Sequence, residues 1–235
     1  MHFALVHGAY HGAWCWDMLR TELKRDGHST SAVDLPCEDP EAGAECYAEL
    51  VVRAIPPGTA TVLVGHSPGG LTIPVVASRT PTLMTVYLCA LVPVPALSFD
   101  AQHANIATGF HPSAPAISHS DGSASWPEAG AIEVFYHDCE PKIARDAARR
   151  QRRPHWRATQ EVTPLHELPA VSAAYILCTD DRMMSSEYSR RSSQKLLGFE
   201  PVEIRGGHSP FLAHPRELAT LLERVSSGAP EGTPG

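Results

Sequence analysis

A chain of 235 residues is long enough for one large domain, or for a core with a modest insertion. Hydrophobic residues make up 43% and charged residues 19%, ordinary for a globular protein with a real core, and the formal net charge is −7. That balance argues against nucleic acid or an anionic membrane surface as partner.

No apolar run approaches the roughly 20 residues that a membrane span needs. The first hydrophobic stretch is strand-length and runs straight into a chemical motif, which does not read as a signal peptide. Six cysteines (15, 37, 46, 89, 139 and 178) show neither disulfide-scaffold density nor metal-ligand spacing. Reduced thiols, a cytoplasmic setting, no metal and no cofactor are expected.

Short apolar strands alternate with amphipathic helices, which predicts an α/β fold: a mainly parallel sheet of about six strands with helices on both faces. Residues 3–6 are the first strand. Residues 14–25 form a helix with Trp14, Met18, Leu19 and Leu23 on one stripe. A second strand covers 30–35 and is closed by Pro36; a helix covers 45–55 and stops at Pro56-Pro57-Gly58. Residues 61–64 are a β-branched and leucine run, as in a strand buried on both faces. A helix from Pro68 towards Arg79 follows, then a strand over 85–92.

The rhythm breaks between Pro93 and Pro169, where Pro, Ser, His and Ala dominate around helices near 129–137 and 141–150. This predicts a cap over 94–169 inserted into a core of 1–93 and 170–226. The alternation resumes as strand 173–178, helix 185–197, strand 202–204 and helix 215–225; residues 227–235 read as a disordered tail.

The strongest chemical signal is Gly65-His66-Ser67-Pro68-Gly69-Gly70, between a buried strand and a helix. G-x-S-x-G in that setting is a nucleophile elbow, a turn so sharp that its flanks must be glycine. A serine hydroxyl needs a base to take its proton. Of the thirteen histidines, His208 is best placed: it sits in the loop Gly206-Gly207-His208-Ser209-Pro210, after a strand and before the last helix. His214 is the fallback. The carboxylate that orients the base belongs at the end of a core strand, where Asp180 and Asp181 both stand; Asp181 is preferred, with Asp180 as a capping or surface group. His7-Gly8-Ala9-Tyr10 follows the first strand, and the Ala9 N–H is the candidate first oxyanion donor.

These motifs, with His11-Gly12-Ala13-Trp14-Cys15-Trp16 and Tyr175-Ile176-Leu177-Cys178-Thr179-Asp180-Asp181, resemble the plant methylesterase and hydroxynitrile lyase branch of the α/β-hydrolases over nearly the whole chain. The resemblance implies a triad of Ser67, Asp181 and His208, an oxyanion hole from the N–H groups of Ala9 and of the residue after the serine, and a helical cap over an apolar pocket. Two departures bear on activity. Hydroxynitrile lyases of this branch carry a threonine in the first loop and a lysine after the catalytic histidine; Ala9 and Ser209 here argue against cyanohydrin cleavage. Second, residue 68 is proline, which suits a helix start but has no N–H to donate. One lost oxyanion donor costs about 3–4 kcal/mol of transition-state stabilisation. Either Tyr10 substitutes, by its N–H or its phenol, or the reaction needs less oxyanion support.

The insertion offers Phe110, Trp126, Phe135 and Tyr136 to cover a small apolar substrate. Its basic run (Lys142, Arg145, Arg149, Arg150, Arg152, Arg153 and Arg157) reads as a solvated face rather than a nucleic-acid platform. The expected partner is a small molecule, with a homodimer left open. Three functions follow: a serine hydrolase of a small ester, lactone or thioester; a lyase, decarboxylase or cyclase that uses His208 without acylation; or a silent ligand receptor.

Overall fold

The structure is a computed structural model that describes residues 1–103 and 116–228. Its strands are β1 (His2–Val6), β2 (Ser29–Ala32), β3 (Thr61–His66), β4 (Thr82–Leu88), β5 (Ile117–Ser118), β6 (Ala124–Ser125), β7 (Ser172–Cys178) and β8 (Val202–Ile204). Six of them form one parallel sheet in the order β2-β1-β3-β4-β7-β8; β5 and β6 make a separate antiparallel hairpin. Between them run α1 (Asp17–Arg25), α2 (Ala44–Ala54), α3 (Gly69–Ala77), α4 (Phe99–His103), α5 (Glu128–Phe135), α6 (Pro141–Arg149), α7 (Arg157–Gln160), α8 (Ser186–Ser192), α9 (Pro210–Ala213) and α10 (Pro215–Ser226).

Alternation along each strand divides the core in two. Phe3, Leu5, Val62, Val64, Val86 and Ile176 face the layer built by Leu19 and Leu23 of α1 and Leu218 and Leu222 of α10. Ala4, Val6, Leu63, Tyr87, Tyr175 and Leu177 face the opposite layer, with Val51 of α2 and Ile73 and Val76 of α3. Both faces are apolar, as a parallel sheet covered on both sides requires.

The chain passes from β1 to its neighbour β2 on one side, then crosses to β3 on the other. The carboxyl ends of β1 and β3 therefore flank the topological switch point, where open α/β sheets bind ligands. Register carries this further: Val6 pairs with Gly65, so the loop after β1 lies beside the loop after β3. On the far side Cys178 pairs with Ile204, so the loops after β7 and β8 leave the sheet together.

Several boundaries differ from the sequence pattern for local reasons. β2 ends at Ala32 rather than Leu35, because the Leu35 N–H leaves the sheet to bond His7 Nε2 at 3.0 Å. The fourth strand starts earlier and ends at Leu88, since Cys89 adopts φ 43°, outside the extended region. The first helix opens as a 3₁₀ turn over Ala13–Trp16, with the Ala13 N–H on Asp34 Oδ1 at 2.7 Å. Phe110 and residues 229–235 of the expected tail lie outside the described residues.

The segment between β4 and β7 is tied to the sheet side by main-chain bonds from Arg152 N to Tyr10 O (2.9 Å) and from His155 N to Cys37 O (2.7 Å). Its basic run is largely matched by acids: Arg149 meets Glu128 at 3.1 Å, Arg153 meets Asp121 at 3.0 Å, and Arg152 pairs with Glu38. Arg150 lies 4.3 Å above the Trp14 ring. These contacts use the charges internally, which agrees with a solvated face.

Candidate active site

Ser67 stands at the turn from β3 into α3 with φ 53°, a left-handed conformation that a non-glycine residue adopts only when its surroundings enforce it. The enforcement is visible. A Cβ on Gly65 would come within 2.7 Å of the Gly69 carbonyl, and one on Gly69 within 2.6 Å of the Val6 carbonyl. The Ser67 carbonyl takes the N–H groups of Gly70 (3.1 Å) and Leu91 (3.0 Å), which anchors the turn from both sides.

The loops after β7 and β8 are zipped together. Thr179 N–H donates to Ile204 O at 3.0 Å, and Asp180 N–H to Gly206 O at 2.9 Å. Asp180 Oδ2 accepts from Gly206 N–H (3.2 Å) and the Thr179 hydroxyl (2.9 Å), so this carboxylate braces the loop. Asp181 is the one that meets His208: Nδ1 donates to Oδ2 at 2.7 Å, with both side chains almost wholly buried. Asp181 Oδ1 is occupied by the N–H groups of Met183 (2.8 Å) and Met184 (2.9 Å). Both carboxylate oxygens are therefore fixed, and the bond to Oδ2 assigns the hydrogen of a neutral His208 ring to Nδ1, with Nε2 as the acceptor. His214 instead sits 3.4 Å from Asp138 Oδ2, away from Asp181.

Three further histidines, His7, His11 and His66, are buried, and all stay neutral. His7 Nδ1–H donates to Gly8 O (2.7 Å) and Nε2 accepts from Leu35 N–H; burial lowers its pKa to about 4. His66 donates from Nε2 to the His208 carbonyl at 2.9 Å, its ring 4.6 Å from that of His208. His11 Nε2 lies 3.0 Å from the Tyr136 hydroxyl. Burial holds His11 and His66 well below the usual imidazole value, helped by the nearby His208. Unfolded, these rings charge below about pH 6.5, so the unfolded chain takes up the extra protons and stability falls with acidity. His7 alone is expected to withdraw ~2 kcal/mol between about pH 6.5 and pH 5. Denaturant midpoints at the two pH values measure this, and an unchanged midpoint refutes neutral burial.

Ser67 and His208 open on one cavity of about 340 Å³. Ala9, Tyr10, Pro68 and Phe135 line it, as do Trp156 and Met183, which no sequence signal marked. Met183 lies two residues past Asp181, to whose Oδ1 its N–H is bonded. Trp126 and Tyr136 do not line the cavity. Trp126 packs edge-on against Tyr10 and Phe135 from behind, at centroid distances of 6.1 and 5.2 Å. Tyr136 is fully buried and spends its hydroxyl on His11, with Gln151 donating to it at 3.3 Å. The Tyr10 ring sits inside this aromatic cluster, where burial raises its phenol to about 12.

Among the described residues, Cys89, Asp181 and His208 bring ligand-type atoms within 4.8 Å of one another. The acid and imidazole are already bonded to each other, and burial pushes the Cys89 thiol up towards its neutral form, which suits a hydrogen-bonded pair better than an ion. All six cysteines are free thiols.

The model of the Alpha/beta hydrolase family matches residues 3–221, nearly the whole chain. The chain belongs to that family. Methylesterase 10 of Arabidopsis thaliana is 26% identical to it, over 96% of this chain and 92% of that one. Polyneuridine aldehyde esterase of Rauvolfia serpentina is 27% identical over 96% and 95% of the two chains. The crystal structure of polyneuridine aldehyde esterase superposes with a TM-score of 0.79 at 23% identity, covering 96% of this chain and 98% of that one. Tomato methylketone synthase I, complexed with 2-tridecanone, gives a TM-score of 0.82 at 20% identity, covering 97% and 98%. This α/β-hydrolase is thus a carboxylesterase-like enzyme that is similar to plant methylesterases, and among the described residues no helix is long and apolar enough to cross a membrane.

Proposed function

We propose that the enzyme hydrolyses a small, largely apolar ester through an acyl-serine intermediate. The observation that carries this reading is the 2.7 Å bond from His208 Nδ1 to a fully engaged Asp181, on a cavity shared with a serine held at φ 53°. In this mechanism Ser67 Oγ attacks the ester carbonyl while His208 Nε2 takes its proton. The Ala9 N–H supports the oxyanion of the tetrahedral intermediate. His208 then hands its proton to the departing alcohol, and a water, deprotonated by the same imidazole, frees the acid. The aromatic wall of Phe135 and Trp156, on a cap formed by the segment after β4, favours an apolar acyl group and keeps bulk water out.

A fluorophosphonate probe tests the reading: one equivalent should attach to Ser67, and none to a Ser67→Ala variant. No labelling of the folded wild-type protein refutes it. Pro68 favours a second reading, proton transfer by His208 without acylation, because that chemistry asks less of the oxyanion hole; the name of the methylketone synthase neighbour is likewise that of a synthase rather than an esterase.

A further inference from the structure

The oxyanion hole of a serine hydrolase needs two donors, and Pro68 can be neither. Directly behind Ala9 and Pro68 lies a second, smaller cavity of about 30 Å³, room for one or two waters. Thr72 lines it. This residue is 0% exposed, and its hydroxyl has no partner among the described residues. A helical threonine ordinarily bonds the carbonyl four residues back, here that of Pro68. Thr72 makes no such bond. A buried hydroxyl without a partner costs about 1–3 kcal/mol, so the site calls for a polar occupant.

The cavity also meets the start of α3 at Gly69, the positive end of a nine-residue helix whose first N–H has no intrahelical acceptor. Ala9, Pro68, Trp156 and Thr159 line both this cavity and the one that holds Ser67. The two spaces thus share the wall where the oxyanion forms.

We propose that a water molecule bound to the Thr72 hydroxyl in this cavity supplies the oxyanion donor that Pro68 withholds. Its hydrogen bonds balance. The water accepts from Thr72 Oγ1–H, donates one hydrogen to Thr159 Oγ1, and turns the other to the substrate oxygen. Thr159 is free to accept because its own hydrogen is given to the Trp156 carbonyl at 3.0 Å. Thr72 is a positioning residue, acting through the water at the N-terminal end of α3. The proposal rests on the serine-hydrolase reading above.

A double-mutant cycle with an activated small ester as substrate tests it. Thr72→Val, nearly isosteric, should lower kcat about tenfold or more with KM little changed, while Thr72→Ser retains activity. In a Pro68→Leu background, which restores the N–H, Thr72→Val should cost less than about threefold. Equal losses in the two backgrounds, or no loss in the wild type, overturn the proposal. A crystal structure of the fluorophosphonate adduct should show a water within hydrogen-bond distance of both Thr72 Oγ1 and the phosphonyl oxygen. An adduct on Ser67 without that water sinks the proposal alone; failure of Ser67 to label sinks the hydrolase reading beneath it.

Discussion

His208→Ala is expected to lower kcat for ester hydrolysis by a factor on the order of 10⁴ to 10⁶, and Ser67→Ala by as much. The nucleophile is useless without a base to take its proton, and the base has nothing to activate without the nucleophile. The two therefore act as a unit, and the double variant should be no slower than either single one. The effect should appear in kcat rather than KM, because neither group is asked to grip the ground-state substrate. Steady-state rates on a chromogenic ester check this. The two readings of the function part company here: turnover that survives Ser67→Ala but vanishes in His208→Ala would reject acylation and retain proton transfer.

Asp181→Asn should cost on the order of 10³ to 10⁴ in kcat, and the local hydrogen bonds say why. Oδ1 accepts two main-chain N–H groups, from Met183 and Met184. An asparagine must therefore place its carbonyl oxygen there and turn its NH₂ towards His208 Nδ1. Nδ1 then has to accept, which moves the ring proton to Nε2, and the imidazole can no longer take a proton from Ser67. The protein should remain folded, since the main-chain bonds are kept; circular dichroism and a melting curve alongside kcat separate this tautomer effect from collapse of the site. If Asp180→Asn proved as damaging to kcat with the fold intact, the assignment of Asp181 would fail.

The parts of the site that could be read from the sequence are those that strained backbone or strand ends impose. Gly65 and Gly69 announce the elbow because the turn leaves no room for a Cβ. His208 follows from its place between a strand and the last helix. Choosing between Asp180 and Asp181 by spacing alone is harder, since both follow β7; the register with β8 and the bonds to Gly206 separate the brace from the partner of His208. The walls of the cavity were least legible. Trp126, Phe135, Tyr136 and Trp156 are equivalent as composition, yet two line the cavity and two do not. Which way an aromatic points depends on long-range partners such as the His11–Tyr136 contact, and a linear pattern holds no trace of these. Thr72 was silent for the same reason: it looks like any threonine in a helix until its buried hydroxyl is found without a partner.

The zipped loops after β7 and β8 have a consequence for how this scaffold can change. Asp181 and His208 hang from one continuous ladder of main-chain bonds, so a mutation that shifted either would have to unpick that ladder and shift both. Phe135 and Trp156 line the same cavity from outside that ladder, Phe135 with its ring 5.7 Å from that of His208. Side chains outside the ladder, such as Trp156, can therefore be exchanged to reshape the cavity without moving Asp181 or His208.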